Sequence, residues 1–170
     1  MKYERFEQLP AWQEAMTPAE KAYAMTEHRA FVRLRELKDQ LRRAALSVSN
    51  NIAEGFERGT TAELLAFLYI ARGSAGEVRS MLLFCRRLPF LQSEIANLKS
   101  QISDLIALAE SCSRQIRGWA DHLQNTDIQG QRRLNDKTRR AWQGRKSSDA
   151  FLQKLQDIRD AGKTLPQENP

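Results

Sequence analysis

The chain is short of cysteine and histidine, the residues that staple folds and most often hold metal. Its 170 residues include two cysteines and two histidines, too few for a disulfide framework or for a structural zinc site. Cys85 and Cys112 each sit at an apolar helical position, which predicts buried free thiols and no bridge. His28 and His122 are isolated from each other and from any cluster of further ligands, so no metal is expected. No glycine motif cradles phosphate, no Cys-His constellation is spaced for catalysis, and no Glu-x-x-His pair of the di-iron bundle kind occurs. An enzyme must bring paired reactive groups into a cleft, so the sequence predicts a noncatalytic protein without cofactors. No run approaches the roughly 18 apolar residues of a membrane span. Met1-Lys2-Tyr3-Glu4-Arg5 lacks the apolar core of a signal peptide, and the expectation is a cytoplasmic protein with no membrane role. Alternating strand patterns and Asn-Gly hairpin turns are missing from the first 124 residues, which predicts an all-α fold.

What is present is positive charge and helical periodicity. The chain carries 27 Lys and Arg against 21 Asp and Glu, a formal net charge of +6, with a pI near 9.6, the range in which a polyanionic partner is a natural expectation. The excess is uneven. Residues 1–124 hold 17 basic and 15 acidic side chains, whereas residues 125–170 hold 10 and 6. Most of the net charge therefore falls on the C-terminal segment.

Leu64, Leu68, Ala71, Ala75, Val78, Leu82 and Cys85 follow a strict 4-3-4-3 spacing, the seam of one helix face. Ile95, Leu98, Ile102, Leu105, Ala109, Cys112, Ile116, Trp119 and Leu123 form a second seam, and Pro89 marks the turn between them. Leu34, Leu37, Leu41, Ala45, Val48, Ile52 and Phe56 form a third, broken by Gly55 through Gly59. Thr60 with Glu63 reads as a capping box opening the next helix. Trp12, Met16, Ala19, Tyr23 and Thr26 form a fourth seam, in which Pro18 predicts either a kink or a restart at Thr17. Short connections predict an antiparallel up-down four-helix bundle over residues 1–124. Residues 125–170 read as a basic, mostly irregular tail with a short helix at 148–160, where Phe151, Leu152, Leu155 and Ile158 form an apolar stripe.

Gln40 through Gly55 combines paired arginines, small residues and an Asn50-Asn51-Ile52-Ala53-Glu54-Gly55 end. Ala44, Ala45, Ser47 and Ser49, with Gly73, Ser74, Ala75 and Gly76 further on, are small enough for two helix backbones to approach closely. Asn50, Asn51 and Gly55 are expected to shape a helix end, with Gly55 left-handed, and Glu54 to pair with Arg58 or Arg72. Together with Ile70-Ala71-Arg72-Gly73-Ser74-Ala75-Gly76-Glu77, the segment resembles the four-helix-bundle proteins encoded in intervening sequences of bacterial 23S ribosomal RNA genes. It is also similar to the accessory variability determinants of diversity-generating retroelements. The resemblance covers roughly Leu9 to Leu123, and the ribosomal-gene branch is the closer match. It implies a ring-like homopentamer without established catalytic activity and, for the retroelement branch, a basic partner that binds a reverse transcriptase and nucleic acid. The chain departs from the family pattern at His28-Arg29-Ala30-Phe31, where a proline is usual, at Pro18, and in the length of its basic tail.

The basic residues are the functional candidates. Arg35, Lys38, Arg42 and Arg43 lie off the apolar seam, and Arg72, Arg79 and Arg86 recur every seven residues along one flank. Such a line either follows a phosphate backbone or frames a subunit interface by pairing with Glu36, Asp39 or Glu63 of a neighbour. In the tail, Arg132, Arg133, Lys137, Arg139 and Arg140, followed by Arg145 and Lys146, suit nonspecific RNA or DNA binding. Leu65, Phe67, Tyr69 and Ile70 lie off the seam and are the candidate face for a neighbouring subunit. The expected function is an oligomeric nucleic-acid-binding accessory protein; the alternative is a structural module devoted to protein contacts. Deleting residues 125–170 should weaken RNA binding and flatten its salt dependence while leaving the circular-dichroism helical signal per remaining residue intact; loss of the fold would make the tail structural.

Overall fold

The computed structural model describes residues 3–89, 91, 96–125 and 136–162, apart from the side chains of 96–97, 136–143, 146 and 161–162. Every regular element among them is helical. α1 spans Pro10–Thr26, α2 Arg35–Glu57, α3 Thr61–Cys85, α4 Ala96–Gln124 and α5 Asp136–Gly162, with short 3-10 turns at Phe6–Gln8 and Arg29–Arg33. The chain divides into two compact units, Met1–Arg132 and Arg133–Pro170.

In the first unit α2 packs on α3, α3 on α4, α4 on α1 and α1 on α2. The seam of α3 is buried at every one of its seven positions from Leu64 to Cys85. The α4 seam is buried from Leu98 to Ile116 and then passes from Trp119 to Ala120, the drift expected when a 3.5-residue repeat is laid on a helix of 3.6 residues per turn. Ile95 lies outside the described residues. Thr60 caps α3 as predicted: its side chain accepts from the Glu63 amide, and its own amide donates to the Glu63 carboxylate, each at 3.2 Å.

α1 differs from expectation. It is one continuous helix through a buried Pro18, with neither break nor restart. Its inward face is also rotated: Ala11, Ala15, Ala19 and Ala22 are buried, while Trp12 and Met16 sit at the margin and Tyr23 is exposed. Small side chains let α1 lie close to its neighbours, which the larger residues would hold off. Pro18, Ala45, Val48, Ala75, Val78, Ala109 and Cys112, drawn from all four helices, surround a void of about 10 Å³. That is at the lower limit for one water, and its apolar walls leave a water no partners.

Gly55 is not a helix terminus. α2 runs on to Glu57, and no described glycine has positive φ. A Cβ on Gly55 would stand 2.6 Å from Phe67 Cβ and 3.2 Å from Leu64 Cδ1, so glycine is demanded by the approach of α3. Eight residues earlier in α2, Ser47 and Ser74 hydrogen-bond at 2.9 Å, and Asn51 donates to the Ser47 carbonyl and hydroxyl at 2.7 and 2.9 Å. Asn51 therefore ties α2 to its contact with α3 and ends nothing. Gly73 and Gly76 face open space and take no part in this contact.

Cys85 and Cys112 are free and buried. Burial pushes the Cys85 thiol up to about 11; burial, then the charge of Glu14, pushes Cys112 up to about 12. Both stay protonated and inert near neutral pH.

In the second unit α5 is 27 residues long, where the sequence predicts a short helix within a mostly irregular tail. Residues 136–147 are largely good helix formers, and Gly144 alone does not offset their summed propensity. Phe151, Leu152, Leu155 and Ile158 are exposed.

Gly55→Ala gains about 1 kcal/mol of helix propensity and meets a backbone-level overlap costing about 1–3 kcal/mol. The expected net result is a lower urea midpoint. Gly73→Ala, with open space, should raise the midpoint of the isolated chain by about 1 kcal/mol equivalent.

Candidate nucleic-acid interface

The predicted basic residues separate into those committed to the fold and those left at the surface. Arg42 belongs to the fold. Its Nε donates to Thr26 Oγ1 at 2.8 Å, one Nη donates to the Tyr23 carbonyl at 3.2 Å and to Glu27, and the guanidinium lies 4.7 Å from the Tyr23 ring centroid. Thr26 is itself buried, its hydroxyl donating to the Ala22 carbonyl at 2.7 Å. Arg42 thus clamps the C-terminal turn of α1 to α2. Lys38 joins the same acid at 3.5 Å. The hydrogen bond from Arg42, with the charges of Lys38 and Arg42, holds the Glu27 carboxyl below its usual range. A depressed carboxyl adds stability that is present above its unfolded-state pKa and fades as pH falls through the lower folded value. Glu27 is largely exposed, so this contribution is small.

On the flank of α3 the seven-residue line is interrupted. Arg79 reaches Glu110 of α4 at 3.5 Å, Arg72 is partly buried, and Arg86 is exposed. On α2, Arg35 and Arg43 are exposed. Glu54 resolves its two possible partners in favour of Arg58, at 2.6 Å, and Arg58 also stands 5.2 Å from the Phe67 ring centroid. In the tail, Arg132 and Arg133 lie outside the described residues. Lys137, Arg139 and Arg140 fall within α5, with side chains outside the described set; Arg145 is exposed.

The four candidate interface residues also divide. Leu65 packs against the core cluster that includes Leu64 and Leu68, and Phe67 covers Gly55, so both serve the chain's own packing. Tyr69 and Ile70 are exposed at 44% and 51%, though the Tyr69 hydroxyl accepts a hydrogen bond from Gln124. The sequence reading missed Ala66 and gave Gly73 and Gly76 to a close helix–helix approach, whereas all three extend that exposed face along α3; it also missed Phe84, which is exposed near the C-terminal end of the helix. A helical-wheel projection could have found them, because they fall opposite the buried seam.

Two clefts border α1. One of about 290 Å³ is lined by Tyr3, Leu9, Pro10, Ala11, Gln115 and Trp119; the other, about 260 Å³, by Lys21, Ala24, Met25, Gln101 and Asp104. Among the described residues no group of three or more His, Cys, Asp or Glu could hold a metal ion, and no helix is long and apolar enough to cross a membrane.

Arg42→Ala should destabilise the fold by about 1–2 kcal/mol, through lost hydrogen bonds and cation–π contact. Arg43→Ala should stay within about 0.5 kcal/mol. Urea denaturation of the two variants checks the assignment of Arg42 to the fold.

No curated protein matches the chain. A family model described as 23S rRNA-intervening sequence protein matches residues 7–115, which runs from the first 3-10 turn through most of α4. The matched segment includes the α2–α3 contact and the capping box as well as the Arg42 clamp, and on that match the chain belongs to the 23S rRNA-intervening sequence protein family.

Proposed function

We propose that this chain is a noncatalytic, cytoplasmic accessory protein whose first unit is an antiparallel up-down four-helix bundle that assembles with copies of itself. In this reading it binds RNA or DNA through surface arginines and through the basic segment beginning at residue 125. The observation that carries the reading is unspent charge. Arg29, Arg33 and Arg35 are exposed and have no ion-pair partner among the described residues, in a chain whose net charge is +6. Cations without internal partners are available to neutralise phosphate and release its counterions. The similarity to retroelement accessory determinants extends the proposal to a homopentamer and to a reverse transcriptase as protein partner.

A second reading, a module devoted to protein contacts, is favoured by the outer face of α3. Ile70 is half exposed there, beside Gly73 and Gly76 with open space above them. Small residues on an exposed face permit another helix to come close. Both readings use this face for assembly and differ in whether nucleic acid binds.

Gly73→Leu should leave the monomer folded, since leucine is the better helix former, yet reduce the mass measured by light scattering if the face packs a second copy. Wild-type protein should bind a short RNA with affinity that falls steeply with salt. Absence of binding at low salt would leave the protein-contact reading.

A further inference from the structure

The core of the first unit falls into two clusters, one toward each end. Phe31, Leu41, Leu82, Cys85, Leu91 and Leu98 belong to one; Leu9, Phe56, Leu64, Ile116 and Ala120 belong to the other. Among the described residues, the segments closing the first end are 27–38, 85–89 and 96–99. They hold seven Lys and Arg against two Asp and Glu. The segments closing the opposite end, residues 3–7, 54–63 and 117–125, hold six acids against three cations. Charge is therefore segregated along the length of the unit, a pattern that the near-balanced total of residues 1–124 conceals.

We infer that a single-stranded nucleic-acid backbone is held at this basic end, around Arg29, Arg33, Arg35, Arg87 and Lys99, and not along the helix flanks. The inference rests on the nucleic-acid reading above and places its site. All five side chains are exposed and none has an ion-pair partner among the described residues. They come from three separate stretches of chain whose backbones are anchored by the same core cluster: Arg29 and Arg33 flank the buried Ala30 and Phe31, Arg87 follows the buried Cys85, and Lys99 follows the buried Leu98. Like charges gathered on fixed backbone repel one another, and a polyanion relieves that repulsion at every position it reaches. The α3 flank offers less, because Arg79 is already paired with Glu110. Arginine predominates in the cluster, and its planar fork suits phosphate oxygens.

Phe84 identifies the strand state. It is 52% exposed, one helical turn before Arg87. An exposed ring beside cations is a platform on which an unpaired base can stack. A duplex keeps its bases inside and cannot use it.

The test titrates a labelled single-stranded RNA of roughly 15 nucleotides with full-length protein from about 50 to about 200 mM salt. Four proteins are compared: wild type, an end variant (Arg29→Gln, Arg33→Gln, Arg87→Gln), a flank variant (Arg43→Gln, Arg72→Gln, Arg79→Gln) and Phe84→Ala. Circular dichroism checks that each is folded. The end variant should bind on the order of 10- to 100-fold more weakly, with a log–log salt slope shallower by about 2. The flank variant should stay within about threefold of wild type. Phe84→Ala should weaken single-strand binding by roughly fivefold or more with an unchanged salt slope, and leave duplex binding as it was. Wild-type affinity and slope in the end variant, with loss in the flank variant or in a 1–124 truncation, would overturn this placement and leave the nucleic-acid reading standing. No binding by wild type at low salt would overturn that reading itself. Equal losses for RNA and for poly-glutamate would make the end a general polyanion surface and overturn the assignment to nucleic acid.

Discussion

The distance between α2 and α3 is the constraint on which the rest of the first unit depends. Gly55 allows Phe67 and Leu64 to press against the α2 backbone, and the Ser47–Ser74 hydrogen bond holds the same pair closer to its middle. Two helices drawn this close leave a narrow groove for the other two. α1 meets that condition with alanine: Ala11, Ala15, Ala19 and Ala22 occupy its buried face. Bulk is supplied toward the two ends of the unit, by Phe31 at one and Phe56 at the other. Packing density is thus preserved with unequal side chains, as close-packed interiors require.

The same economy governs charge. An arginine at the surface is available to a ligand, while one such as Arg42 has its donors committed to Thr26, Tyr23 and Glu27. The two cases look alike when residues are counted. Arg42 and Arg43 are adjacent, yet the 100° turn between neighbours on a helix puts one under the α1 terminus and the other in solvent.

Much of the architecture was legible in the spacing. The α3 seam, the α4 seam as far as Ile116 and the Thr60 capping box read directly, because each depends on a period or a short-range pair that survives any tertiary context. α1 did not, since a search for large apolar residues selects Trp12, Met16 and Tyr23, and the inward face was chosen for smallness. Gly55 was misread for a related reason. Glycine ends helices often, but here the helix runs past it to Glu57, with Phe56 buried, and the backbone never turns left-handed. The candidate site was legible in part: composition shows that cations are in excess, and only the fold shows that Arg29, Arg87 and Lys99, far apart in sequence, close the same end.

α1 completes its packing only with α4. The carboxylate of Glu14 accepts from the Ser111 hydroxyl, 97 residues later, and Leu9, Ala11 and Ala15 share their core cluster with Cys112, Ile116 and Ala120. By contrast α2 and α3 are joined by only residues 58–60 and can pair as soon as both have been made. During synthesis, at about 5–20 residues per second, the face of the first helix that meets α4 is thus exposed for several seconds before that wall exists. A face of alanine is well suited to that interval, since it offers little sticky surface to other nascent chains while the fourth helix is still inside the ribosome.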